Sequence, residues 1–238
     1  MEDRQLGIVT GPYLVEEMVE GPEYSVELIV RNGQPRAVAV VSKTTGFAPW
    51  FEEMQHVVGP QSAADDDLRD AALAAARALN VQNAIMHVEV RRSSRGPRII
   101  EAAARVGGDL ISELVRMTTG IDLYSHAGAL ALGLQSPEPT TPRSPWAAIR
   151  FYYPPTDLII RELTCEPLDD LGGLEHFVWE ARVNEELALP PRGYMSRLGF
   201  AVVTGNSADE VTATLNAVGK RIRVNGRCPA AIQRRAHG

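Results

Sequence analysis

Two glutamates, Glu89 and Glu101, stand on opposite arms of a segment that reads as a tight hairpin, AIMHVEVRRSSRGPRIIEAAAR over residues 84–105. The strand-like arms Ala84–Arg92 and Pro97–Ala103 flank the turn Ser93-Ser94-Arg95-Gly96. Pairing about Arg95 sets Glu89 opposite Glu101, His87 opposite Ala103 and Ile85 opposite Arg105. Side chains alternate between the faces of a strand, so Glu89, Glu101, His87 and Arg105 share one face. Met86, Val88, Val90, Ile100, Ala102 and Ala104 share the other, and this apolar set favours the register over a one-residue slip. Opposed β-carbons lie roughly 4.5–5.5 Å apart, where like charges are destabilising. Something must offset that repulsion. A hard divalent cation does so, since Mg²⁺ takes one or two carboxylates together with substrate phosphates. Arg105 would then steady negative charge on a transferring phosphoryl or acyl phosphate. An exposed face on which Arg91 and Arg105 neutralise both acids accounts for the same spacing.

Two further stretches place polar side chains where chemistry needs them. In Leu14–Ser25, LVEEMVEGPEYS, a strand end offers backbone donors and acceptors, and Glu23 can accept from two hydroxyls. Alone, it reads as an acidic edge strand before Gly21-Pro22. In Phe51–His56, FEEMQH, a carboxylate and an imidazole follow Lys43-Thr44-Thr45-Gly46. Alone, it reads as a solvated loop.

In this order, the three stretches resemble the ATP-grasp superfamily, and within it the carboxylate–amine ligases of the L-amino-acid ligase branch. Leu14–Ser25 is similar to the family's E-E-x-[VIL]-x-G-x-E hinge. That implies backbone groups of Glu16, Glu17, Met18 and Val19 on an adenine edge and Glu23 on the ribose hydroxyls. The hairpin resembles the H-x-E … I-E-x-N-x-R-x-G-G signature, which implies Glu89 and Glu101 as metal ligands and Arg105 as the catalytic arginine. Gly107 and Gly108 fall on the glycines beside the substrate. Phe51–His56 is similar to F-x-E-x-x-H, implying Glu53 and His56 at an amino-acid substrate. The resemblance further implies ATP and Mg²⁺, with Mn²⁺ able to stand in, and small-molecule carboxylate and amine substrates joined through an acyl phosphate. One position departs: Ala103 stands where the family has asparagine, a further metal or phosphate contact.

In that family an earlier lobe supplies a phosphate-binding lysine and a glycine-rich loop. Only about a dozen residues precede the hinge here, and a lone Gly11-Pro12 cannot cradle phosphates. The lysines are Lys43 and Lys220; Lys43 follows a strand and reads as a solvated strand-end residue in preference to one facing the cleft. The expectation is a chain that binds ATP poorly by itself. It would be one part of a split enzyme with a separate N-terminal ATP-grasp chain, or a non-catalytic or degenerate ATP-grasp binding subunit. An exposed face where another lobe would pack adds the expectation of a homo-oligomer.

The elements that must position these groups spell an α+β fold. An ATP-grasp C-terminal lobe with a mostly antiparallel sheet flanked by helices is followed by a small C-terminal α+β subdomain. Tyr13–Val19, Tyr24–Arg31 and Arg36–Lys43 read as strands, the last two joined by the hairpin signal Asn32-Gly33. Thr45–Pro60, with no clean period, reads as a loop. Asp65-Asp66-Asp67 opens a helix whose Leu68, Ala72, Ala76 and Leu79 form one stripe. Helices are expected over Asp109–Thr118, Leu123–Leu132 and Asp209–Arg221, the last capped by Asn206-Ser207. Strands are expected over Ala147–Tyr153, Leu158–Leu163 and Gly199–Thr204. Four prolines in Gln135–Pro145 mark a linker, dividing the chain into 1–134, 135–145 and 146–238.

The composition excludes several classes. A net charge of −6 over 238 residues argues against a nucleic-acid partner, and the basic tail Arg227, Arg234 and Arg235 is too short to change that. No apolar run reaches the ~18 residues of a membrane span. Cys165 and Cys228 are scattered, with no CxxC, and point to a reducing compartment. The start Met-Glu-Asp-Arg lacks a signal-peptide core, which makes the cytoplasm the expected location.

Overall fold

The computed structural model describes residues 14–60 and 62–229. Tyr13, Gly11-Pro12, Arg234 and Arg235 lie outside the described residues. The first hairpin joins β1 (Glu23–Arg31) to β2 (Gln34–Gly46). Its turn residues Asn32 and Gly33 have φ of 51° and 73°, the geometry that Asn-Gly adopts most readily. Then follow β3 (Glu52–Val58), α1 (Asp66–Ala78), β4 (Ala84–Ser93) and β5 (Gly96–Ala103). Helices α2 (Ile111–Thr119) and α3 (Leu123–Ala131) precede β6 (Trp146–Tyr152), β7 (Leu158–Cys165), β8 (Leu174–Trp179), β9 (Glu186–Leu187) and β10 (Gly199–Gly205). The last described elements are α4 (Ala208–Arg221) and β11 (Ile222–Arg227).

The main sheet runs β5-β4-β1-β2-β3-β6-β10-β8, with its pairs antiparallel, and a smaller sheet runs β11-β7-β9. Alternation sorts the two faces. Val26, Leu28 and Val30 of β1 and Met86, Val88 and Val90 of β4 bury against Leu68, Ala72 and Ala76 of α1. The opposite face buries Ile29, Ala39, Val41, Val58 and Ile85 against Ile111, Leu114 and Val115 of α2 and Leu123 of α3. A third cluster joins Val211, Leu215 and Val218 of α4 to Ala148, Ala201 and Val203 of the sheet and to Ile160 of β7. β6 pairs with β3, so one sheet continues across the proline-rich 135–145 segment. Among the described residues, no helix is long and apolar enough to cross a membrane.

The helices start and stop where the sequence places them to within two residues. Asp122 caps α3 by accepting from the backbone N–H of Tyr124 and Ser125, and Ser207 caps α4 by accepting from Glu210 N–H. The strands bring corrections. Residues 14–20 form no strand; Leu14 and Val15 are 83% and 89% exposed and pair with no strand among the described residues. The expected loop Thr45–Pro60 contains β3, whose inward positions are partly polar, Glu52 and His56 among them, which hides the period-two signal. β5 stops at Ala103, so Arg105 is not paired with Ile85. Ile100, expected in the core, is 41% exposed, because the register steps from Glu89↔Glu101 to Val90↔Ile99 and leaves it as a bulge.

Gly120 ends α2 with φ 72°, and a β-carbon there would meet Thr140 O at 1.8 Å. Gly120→Ala should therefore cost about 1–2 kcal/mol from the left-handed backbone alone and more from displacing the 135–145 segment. Chemical denaturation checks this; a midpoint matching that of the unsubstituted chain would contradict the packing.

Candidate active site

The face of the sheet covered by α2 and α3 is apolar beneath the helices and polar beyond the first turn of α2. Ser25 and Glu27 of β1, Lys43 of β2, Glu53 and His56 of β3, and His87 and Glu89 of β4 all lie on that polar part. A cavity of about 200 Å³ collects Lys43, Glu53, His56, His87, Glu89, Arg105, Gly108 and Asp109. A second, of about 380 Å³, is lined by Met18, Gly21, Glu23, Thr44, Phe51 and Arg91, and it shares Lys43 with the first.

Lys43 is the centre of the site. It is 8% exposed, and its Nζ lies 3.2 Å from Glu23 Oε1, 2.5 Å from Glu53 Oε1 and 2.6 Å from Glu89 Oε1. The reading of Lys43 as a solvated strand-end residue is thus overturned: β1, β3 and β4 bring three acids around it. Burial opposes its charge, but Glu53 and Glu89 outweigh burial and hold the ammonium well above the usual lysine range. Burial pushes the Glu53 carboxyl up despite Lys43.

A second cation completes the balance. Glu27, fully buried, accepts from Ser25 Oγ at 2.8 Å and lies 2.7 Å from His87 Nδ1. His87 Nε2 lies 3.3 Å from Glu89 Oε1. Burial by itself lowers the His87 pKa; the hydrogen bonds with Glu27 and Glu89 prevail and push it up to about 9. The hydrogen bond from His87, with Lys43 adding to it against burial, holds Glu89 down to about 2. A β-carbon on Gly107 would press on His87 Nδ1 at 3.0 Å and Glu27 Oε2 at 3.2 Å, so a larger residue there would make those side chains shift. A β-carbon on Gly108 would meet nothing within 4 Å.

Regular alternation would send Glu53 and His56, three residues apart, to opposite faces. The register steps from Thr44↔Gln55 to Thr45↔Glu53 and skips Met54. This bulge re-aims the strand, and both side chains line the same cavity. His56 is 1% exposed. Its Nδ1 lies 3.9 Å from Glu53 and its Nε2 3.6 Å from Asp109, both beyond hydrogen-bonding reach.

The loop 188–198 braces this wall from outside. Arg197 donates to both oxygens of Asp109 at 2.7 and 2.8 Å, stacks 3.6 Å over the Phe151 ring, and donates to Tyr153 OH. Tyr153 OH in turn donates to Glu52 Oε2, which also accepts from Met195 N–H. Burial would raise the Asp109 carboxyl, but the Arg197 hydrogen bonds hold it well below the usual carboxylate range.

Of the residues singled out from sequence, the smaller cavity gathers Glu53, His56, Glu89, Arg105 and Gly108. Glu23 and Met18 line the larger one. Glu23 is also gripped by Arg91, which donates to Glu23 Oε2 from Nε and Nη2 at 2.9 and 2.8 Å and to Val19 O at 2.8 Å. Glu16 and Glu17 are exposed, and Glu17 pairs with Arg95. Glu101 sits opposite Glu89 in register as expected, yet its side chain is 50% exposed and meets Arg105 at 3.3 Å. Among the described residues, the acids whose oxygens all come within 4.8 Å of one another are Glu23, Glu53 and Glu89. Sequence reading missed Glu27, Asp109 and Arg197. Asp109 directly follows Gly107-Gly108, which is a usable signal. Arg197 lies 88 residues from its partner and has none.

Residues 3–113 match the family described as ATP-grasp domain. Among curated proteins, Carnosine synthase 1 of Homo sapiens is 29% identical over 133 residues, which are 55% of this chain and 16% of that protein. Among solved structures, an L-amino acid ligase from Bacillus licheniformis aligns with a TM-score of 0.74 at 19% identity, over 88% of this chain and 53% of that one. A phosphoribosylglycinamide synthetase from Anaerococcus prevotii aligns with a TM-score of 0.72 at 18% identity, over 89% and 55%. These likenesses establish a common fold. The chain spans about a sixth of that curated relative and about half of either solved chain.

The site's charges set a pH profile of stability. A raised histidine pKa contributes stability that is fully present below the ordinary value of 6.5 and lost as pH climbs through about 9. The depressed Glu89 contributes above its ordinary 4.5, and that is lost as pH falls toward about 2. Thermal denaturation should show a plateau between these ordinary values and a decline on each flank. His87→Gln should flatten the alkaline decline while the acid flank, which Lys43 also supports, persists; an unchanged alkaline flank would remove His87 from the cluster.

Proposed function

Because residues 3–113 match the ATP-grasp domain family and the chain shares the fold of solved ATP-grasp-like ligases, we propose that it serves an ATP- and Mg²⁺-dependent carboxylate–amine ligase. The reaction forms an amide or peptide bond through an acyl phosphate. The observation that carries this reading is the pair of cavities that share Lys43 as a wall. One adjoins the hinge-like segment at Met18, Gly21 and Glu23. The other holds Glu53, His56, Glu89 and Arg105. A phosphoryl group passing from nucleotide to carboxylate needs two adjoining compartments with cations between them.

In this mechanism the backbone at Glu16–Val19 and the Glu23 carboxylate hold the nucleotide. The substrate carboxylate attacks the γ-phosphate, giving an acyl phosphate and ADP. The amine then attacks the acyl carbon and expels phosphate. Arg105 meets the charge on the transferred phosphoryl group and afterwards on the tetrahedral centre. Glu53 and His56 orient the substrate's ammonium group. Their atoms suit that role, since Glu53 Oε2 and both His56 ring nitrogens are buried without a hydrogen-bond partner. The donors that would hold the metal, Glu89 and Glu101, are hard carboxylate oxygens of the kind Mg²⁺ and Mn²⁺ take. When bound, the metal neutralises phosphate charge. The complete reaction is assigned to this chain acting with the portion of an ATP-grasp enzyme that it does not align with, on the same or a separate polypeptide, in the cytoplasm.

A second reading keeps the fold and drops turnover. Ala103 at the asparagine position and the engagement of Glu101 by Arg105 favour it. A phosphate-release assay across amino-acid pairs, on the full assembly, separates the two. Release that falls about 10²–10³-fold in Arg105→Met or Glu89→Gln supports the ligase. Nucleotide binding without release from any pair establishes the binding subunit, and absence of both ends the ATP-grasp function.

A further inference from the structure

His56 is a buried imidazole with an acid just out of reach on each side. Neither ring nitrogen has a hydrogen-bond partner, and Glu53 Oε2 lacks one too. Nδ1 lies 3.9 Å from Glu53 Oε2, and Nε2 lies 3.6 Å from Asp109 Oδ2. The ring is held by packing. It meets the Phe151 ring edge-on with centroids 5.8 Å apart, and Arg197 stacks 3.6 Å over that same phenylalanine while donating to both Asp109 oxygens.

A neutral imidazole carries one ring proton, and the partner of that proton decides which nitrogen is left to accept. Two acids compete for it. Glu53 already pairs with Lys43, and burial pushes its carboxyl up. Asp109 is closer; burial works against its charge, but the Arg197 hydrogen bonds hold it well below the usual carboxylate range. Each of its oxygens can accept a second hydrogen bond. Closing the gap to His56 takes about 0.6 Å, to an ordinary N···O distance.

We infer that Asp109, clamped by Arg197, is a positioning residue for His56: it accepts from Nε2–H and leaves the Nδ1 lone pair beside Glu53 Oε2, where both acceptors receive one substrate ammonium group. Two acceptors 3.9 Å apart suit a single nitrogen that donates to each. The loop 188–198 lines neither cavity of the site, yet through Arg197 it fixes the proton that makes the amine subsite an acceptor. This rests on the ligase reading and names what sets its amine subsite, but the ring proton is measurable without turnover.

Long-range proton–nitrogen correlation spectra of the nitrogen-labelled chain locate that proton, with His56 assigned by its through-space contact with the Phe151 ring. The neutral ring should carry it on Nε2. A proton on Nδ1, or a ring doubly protonated throughout the neutral pH range, overturns the inference, and this spectrum decides by itself should the variant below not fold. In Asp109→Asn the amide keeps its oxygen on Arg197 and turns an N–H toward Nε2, so the ring proton should move to Nδ1. A proton that stays on Nε2 overturns the role of Asp109. On the full assembly, Asp109→Asn should raise KM for the amine substrate at least tenfold and leave KM for ATP unchanged. An unaltered amine KM, or an ATP KM that rises with it, also overturns the inference. The proton on Nε2 without phosphate release from any pair would keep the Asp109–His56 device and sink the ligase; release with the proton on Nδ1 would do the reverse.

Discussion

An ammonium group enclosed by carboxylates from three strands is the constraint around which the site is organised. Removing four charges from water is costly, and replacing a buried ionic cluster by apolar residues of similar volume is often neutral or stabilising. The cluster is therefore weak as a source of stability. It acts on geometry: Lys43 on β2 draws Glu23 on β1, Glu89 on β4 and Glu53 on β3 toward one point. With His87 and Arg91 also positive, the acids Glu23, Glu27, Glu53 and Glu89 are nearly balanced, and a polar patch can persist on the sheet face beside the helices.

Irregular strands deliver the side chains to that point. The bulge at Met54 turns Glu53 and His56 to one cavity, and the bulge at Ile100 breaks the second hairpin between its turn and its acids. In each, an extra residue is left unpaired to re-aim a neighbour. Beyond β5 the chain passes Gly107, packed against Glu27 and His87, and enters α2 through Asp109 and Leu110, with φ of 49° and 59°. That unusual backbone places Asp109 over His56 and within reach of Arg197.

The C-terminal third serves the site by bracing it. β6 extends the sheet beside β3, and the loop before β10 reaches back with Arg197 and the Met195 amide. Through Tyr153 and Glu52, this network fixes the strand that carries Glu53 and His56. A buried polar network of this kind rigidifies when every member is satisfied and is costly when one is lost, which ties the shape of the smaller cavity to residues that do not line it.

What depends on near neighbours could be read along the chain. Alternation set the faces of β1 and β4 and the Glu89–Glu101 register; Asn32-Gly33 set a turn; an apolar stripe marked α1 and the capping residue Ser207 marked α4. Each is a local preference that a few consecutive residues express. Order along the chain also carried the family resemblance. Where polar groups meet was settled by folding alone. β3 was illegible because its inward positions are Glu52 and His56, whose burial makes sense only beside Lys43, Tyr153 and Arg197. Lys43 itself looked like an ordinary surface lysine, since nothing within several residues announces the acids that surround it. Electrostatic partners are chosen by strand order and bulges across dozens of residues, and that information exists only once the sheet has formed.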